Sequence, residues 1–207
     1  MDTQDQYTAV AAIEKDNPKT ITGWAMYDWA NSVYSLVITS SIFPIFYENA
    51  VPEVVHFLGM DVLRSALYSY TLSASFLVVA LITPLLSGIA DYSGKKKSYM
   101  RFFCYLGGIA CMALYFFSPD FLTLGLFAVA LAAIGYSGSQ VFYNAYLPEI
   151  ATIKNQDRVS AKGYSLGYIG SMILLVINLA MVLNPDMFGL SNADTAARIS
   201  FVMVGLW

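Results

Sequence analysis

Charge is scarce in this chain of 207 residues: Asp, Glu, Lys and Arg make up 12% of it, against 57% hydrophobic residues. A soluble domain of that length could not bury so much apolar surface, and the mean hydropathy of +0.59 points to lipid as the solvent. Histidine occurs once, as His56, and cysteine twice, as Cys104 and Cys111. That scarcity removes the usual His/Cys metal clusters, and no metal site is expected. The two cysteines lie seven residues apart on one apolar run, roughly 10 Å along a helix, too far for a disulfide within it. Basic residues are not in excess, since the net charge is −3, so a nucleic-acid partner is not expected. No Gly-Lys-Ser/Thr phosphate cradle or other cofactor motif is present, and none is predicted. The first 20 residues lack both the apolar core and the small-residue cleavage site of a signal peptide; they are read as a cytoplasmic tail.

What the chain has instead is long uncharged apolar runs, at about 24–46, 66–90, 100–117, 121–143 and 163–183, with a sixth over 196–207. About 20 residues of helix cross the roughly 30 Å of hydrocarbon in a bilayer. The fold class expected is therefore an all-α membrane protein. Between the second and third runs lies Pro84-Leu-Leu-Ser-Gly-Ile-Ala-Asp91-Tyr-Ser-Gly94-Lys95-Lys96-Lys97, a tight basic loop of the kind retained on the cytoplasmic side. With the amino terminus inside, nine of the eleven cations (Lys15, Lys19, Lys95, Lys96, Lys97, Arg101, Lys154, Arg158 and Lys162) lie on the cytoplasmic side, and only Arg64 and Arg198 lie outside. The location expected is the cell membrane, with the lipid bilayer as a partner.

Polar residues inside the runs mark candidate sites. At 100° per residue, Asp28, Asn31, Ser32, Ser35 and Thr39 share one stripe of the first span. An ionisable residue one turn inside a span, backed by such a stripe, suggests a cavity for a proton or solute. The other reading is an interfacial cap, with Trp24, Tyr27 and Trp29 as anchors. The fourth span carries Tyr136, Gln140, Tyr143 and Asn144 at helical spacing, able either to line a cavity mouth or to satisfy neighbouring helices. In the fifth, Gly163, Gly167 and Ser171 recur every four residues, the spacing that lets helix backbones approach closely.

Ser87, Asp91, Gly94, Lys95 and Lys96 resemble the signature between the second and third spans of the major facilitator superfamily, with Ser87 in place of its leading glycine and Tyr92 in place of a cation. Tyr27-Asp28-Trp29-Ala30-Asn31-Ser32, Asn144-Ala-Tyr-Leu-Pro148-Glu149-Ile150 and Gly163-Tyr-Ser-Leu-Gly167-Tyr look like segments of its autophagy-related vacuolar effluxer branch and that branch's bacterial relatives. The resemblance covers residues 20–207. It implies the six-helix amino-terminal half of a twelve-helix secondary transporter, with spans one and four on a central cavity, two and five between halves, and three and six outside. It also implies that Asp91, Lys95 and Lys96 help lock one access state, and that the solute is small, amino acids included.

After Arg198 only nine residues remain, roughly 14 Å of helix, so the sixth helix is expected to be truncated and the carboxy-terminal half of the same protein to be a partner. Two alternatives stand beside the transporter. One is a membrane interaction module or homodimeric half-transporter. The other is an intramembrane serine protease, suggested by Gly135-Tyr136-Ser137-Gly138, although no histidine follows that serine. The chain is not expected to be an enzyme.

Overall fold

The computed structural model describes residues 14–207; most of the expected tail, residues 1–13, lies outside the described residues. Asn17 opens the first helix: its side-chain oxygen accepts the Lys19 N–H at 3.0 Å, and Pro18 takes the first helical position, where a missing N–H costs nothing. Helix α1 (Pro18–Asn31) then passes through a π-helical turn at Tyr34–Thr39 into α2 (Ile42–Ala50). The path is interrupted at Ser40 and Ser41, and Ser41 has left helical geometry altogether (φ −129°, ψ −82°). The Ser40 hydroxyl donates to the Ser35 carbonyl at 2.9 Å, back into the π-helical turn.

Two short antiparallel strands follow, β1 (Val54–Phe57) and β2 (Met60–Leu63), with Val54 opposite Leu63 and His56 opposite Asp61. Leu58 and Gly59 form the two-residue turn, both at positive φ (51° and 81°), as a hairpin with right-twisted strands requires. The expected outer loop is thus a hairpin. Leu-Gly conceals it, since asparagine or aspartate is the usual first residue of such turns.

Helix α3 (Arg64–Ser93) is about 45 Å long and ends at Gly94, whose φ of 64° suits the left-handed cap. Helix α4 (Lys96–Ala113) tightens into a 3₁₀ turn at Leu114–Phe116. Helix α5 (Leu122–Ile150), α6 (Ile153–Leu183) and α7 (Ala193–Leu206) complete the bundle. Five segments are long and apolar enough to cross a membrane: 18–50, 64–90, 96–116, 119–150 and 153–183. Each runs past its apolar stretch, mostly where a segment rich in polar residues, such as 153–162, continues the helix. The end of the bundle bearing Lys95, Lys96 and Lys97 is called the basic face below, and the opposite end the hairpin face.

Glycines set which helices touch. A Cβ on Gly135 of α5 would strike the Gly107 backbone of α4 and come within 2.8 Å of the Phe103 carbonyl. A Cβ on Gly108 would meet the Gly205 carbonyl of α7 at 3.1 Å. So α4 carries a buried glycine face, packed between α5 and α7. Near the hairpin face, Phe43, Phe46, Tyr47, Phe117 and Phe201 cluster with ring centroids 5.2–6.2 Å apart, many of them edge to face. The Arg198 guanidinium ties three elements there. It donates to the Tyr115 and Phe117 carbonyls at 2.7 Å, pairs with Asp194 and sits 4.9 Å from the Phe46 ring centroid. Most of α3 stays exposed, with Phe76, Leu77, Leu81 and Leu85 outward, an apolar face suited to lipid or to another membrane-embedded surface.

Candidate solute site

Asp28 is 6% exposed, in the middle of the α1–α6 contact. It is buried there because α6 offers no side chain to hold α1 away. A Cβ on Gly167 would lie 2.7 Å from the Ser32 hydroxyl and 3.0 Å from Asp28 Oδ2. Gly163 makes room for Trp24 and the Tyr143 hydroxyl, and Gly170 for the Trp29 carbonyl. The small-residue stripe of the fifth span therefore serves packing against span one, inside this bundle.

The Ser32 hydroxyl donates to Asp28 Oδ1 at 2.8 Å. The Gln140 side chain of α5 lies near the same carboxyl group and near the Tyr136 hydroxyl without a hydrogen bond to either. One turn nearer the basic face, Trp24 stacks on Tyr143 with centroids 4.2 Å apart, and its indole N–H donates to the Tyr143 carbonyl at 2.9 Å. On the other side of Ser32 opens a cavity of about 230 Å³ lined by Ser32, Ser35, Leu36, Ser40, Tyr136, Tyr164, Tyr168 and Ser171. The Ser171 hydroxyl, 3% exposed, has no hydrogen-bond partner among the described residues. No ion pair to Asp28 exists among them either.

The residues singled out in the sequence are thus divided. Asp28, Ser32, Ser35 and Gln140 gather on one side of α1. Asn31 lines a second cavity of about 130 Å³, against α4, α5 and α7, with its carboxamide oxygen 3.5 Å from the Ser139 hydroxyl, which donates to the Tyr136 carbonyl at 2.7 Å. Asn144, one turn beyond Gln140, is exposed. The π-helical turn explains a further shift. It inserts extra residues per turn, so Ser40 rather than Thr39 continues the stripe into the cavity. Periodicity at 100° per residue could not detect that change. Tyr164 and Tyr168 were also missed; their spacing of four on α6 was the available signal, and their hydroxyls stand 3.3 Å apart.

On the basic face, Gly94 caps α3 and Lys96 pairs with Glu149 of α5. Ser87 is half-buried and Lys95 exposed, and Asp91 occupies the last turn of α3, its side chain lying outside the described residues. The Asp16 carboxylate accepts the Thr152 N–H at 3.1 Å and its hydroxyl at 2.7 Å, fastening the segment before α1 to the α5–α6 turn. The Thr152 hydroxyl, with smaller help from its backbone, holds the Asp16 carboxyl below its ordinary pKa of 3.8. Ser137 lies mid-bundle on α5, about 22 Å of helix from its start, whereas His56 sits on the hairpin, 2.9 Å from Asp61. That places no histidine beside the serine.

Residues 16–207 match the family described as vacuole effluxer Atg22 like. A Bacillus subtilis protein described as an uncharacterized MFS-type transporter, YxiO, is 37% identical over 197 residues, covering 91% of this chain and 44% of that one. Autophagy-related protein 22 of Pyricularia oryzae is 23% identical over 273 residues, covering 91% and 40%. No solved structure matches. The chain spans less than half the length of these two relatives. On this match, and on the helices that carry it, the chain belongs to the Atg22-like family of MFS-type membrane transporters.

Proposed function

We propose that the whole protein is a secondary-active transporter that moves a small solute, amino acids among the candidates, by alternating access. The residues 14–207 described above supply one wall of its pathway. One observation carries the reading: a buried acid that meets no base among the described residues, its carboxylate accepting the Ser32 hydroxyl, stands beside a hydroxyl-rich cavity where span one is broken. Broken transmembrane helices recur at transporter binding sites because unwound backbone and helix ends can face a ligand. Asp28 is the coupling or gating group in this scheme, with Tyr27, Tyr136, Tyr143 and Tyr164 as the titratable side chains around it. Asn31 is assigned to the surroundings behind span one, and Asn144 to the basic-face end of α5, one turn beyond Gln140.

Ser87, Asp91, Gly94, Lys95 and Lys96 form the conformational loop, closing against a carboxy-terminal half of the same protein. The Lys96–Glu149 pair supports this by anchoring the start of α4 to the end of α5. The basic face is assigned to the cytoplasm and the protein to the cell membrane, on the positive-inside distribution. Kinship with transporters is compatible with a protein that is no enzyme.

Flux in proteoliposomes holding the full-length protein tests the central claim. Asp28→Asn should abolish the pH dependence of solute flux while the protein stays folded. Flux that follows pH as in the unmodified protein would reject Asp28 as the coupling group.

A further inference from the structure

The cavity beside span one is lined by rings and hydroxyls with no basic side chain among its lining residues, and an acid lies behind Ser32. The basic side chain of α6 closest in sequence to it, Lys162, is turned to Thr22 at 3.1 Å, and Lys96 is engaged by Glu149 on the basic face. Around the cavity stand the rings of Tyr136, Tyr164 and Tyr168 and the hydroxyls of Ser32, Ser35 and Ser40, with the partnerless, buried hydroxyl of Ser171. Asp28 lies one hydroxyl away, through Ser32. A carboxylate withdrawn from water without a counter-charge is costly, and a cation arriving beside it relieves that cost. Aromatic faces attract ammonium groups within about 6 Å of a ring centroid. Serine hydroxyls and broken-helix carbonyls can accept the N–H bonds that an ammonium group donates. An anion would find hydroxyl donors there, but it would also face the carboxylate.

We infer that this cavity takes solutes through a protonated amine, with Asp28 as counter-ion, the three tyrosines as the aromatic wall and Ser171 as a hydrogen-bond acceptor. The inference rests on the reading above that the cavity is a solute site, and it narrows the solute to organic ammonium ions. An amino acid would enter by its amino group, and its carboxylate would have to be met from another surface.

The test uses full-length protein and two sets of probes matched in shape: tyramine, tyrosol and 4-hydroxyphenylacetate; and isopentylamine, isopentanol and isovalerate. Binding is measured by equilibrium dialysis and thermal shift. The amine of at least one set should bind about tenfold or more tighter than its neutral and anionic partners, the scale of one desolvated cation–π contact. Asp28→Asn should remove that preference and Asp28→Glu should retain it. Ser171→Ala should weaken amine binding without lowering the thermal midpoint of the ligand-free protein. Equal or tighter binding of the alcohols or carboxylates in both sets overturns the amine assignment while leaving a solute site in place. No binding of any of the six probes overturns the amine assignment as well. If Asp28→Asn also leaves flux unchanged, the solute-site reading falls with it.

Discussion

Gly135 and Gly88 sit in comparable apolar helices, yet a methyl group added at each has opposite consequences. At Gly135 the new carbon meets the Gly107 backbone and the Phe103 carbonyl, neither of which can swing aside, so α4 and α5 must separate. Gly135→Ala is expected to destabilise the bundle by about 1–3 kcal/mol, the usual cost of overpacking. At Gly88 nothing lies within 4 Å, and the residue is exposed on α3. There the substitution removes only the conformational freedom of glycine, and Gly88→Ala should stabilise by up to about 1 kcal/mol. Thermal midpoints of the two variants in one detergent should therefore move in opposite directions. Equal shifts would contradict the packing described for α4 and α5.

The elements owe their ends to specific side chains. Span one is α1, a π-helical turn and α2, joined at Ser40 and Ser41, and this interruption gives the cavity its serine wall. The turn between α5 and α6 is short, and Asp16 covers it from outside the helices. Asp16 itself takes φ 62°, which aspartate tolerates better than most residues. Its carboxyl is held below the ordinary value, so its contribution is present above the unfolded pKa and is lost as pH falls through the lowered, folded one. Amide exchange at Thr152, corrected for intrinsic rate, should accelerate as pH drops below about 3.8, the ordinary value. In Asp16→Ala it should already be fast at neutral pH. Exchange independent of pH and of this substitution would show that the clasp does not protect the turn.

At the scale of the molecule, α3 carries the chain about 45 Å from the hairpin to Gly94, so Leu58 and Lys97 lie at opposite ends of the bundle. A membrane-impermeant maleimide should label a cysteine placed at Leu58 only from outside the cell, and one at Lys97 only after the membrane is opened. Cys104 and Cys111, both within span three and free, are replaced by serine beforehand. Labelling of both from outside would refute the orientation assigned to the basic face. The same long helix leaves an apolar surface that the chain itself does not cover, and it belongs to a family whose relatives named above run to more than twice the chain's length.

The apolar runs, the loop at Asp91–Lys97 and the motifs around Asp28 and Asn144 are local features. Spans and family kinship were legible from them because lipid demands long uncharged helices whatever their partners. The polar stripe of span one was legible as far as Ser35, while the backbone kept to 100° per residue. Beyond it the π-helical turn changed the phase, and the hairpin at Leu58-Gly59 lacked the residues that announce one. Helix neighbours were not legible, because a glycine in a sequence does not name the surface it admits. The sequence alone determined that the chain crosses a membrane and carries an acid within its first span. Only the tertiary structure decided that Gly167 would bury this acid, that no described base would meet it, and that Asn31 would face the other way. Each of those outcomes depends on which backbones come close enough to exclude water.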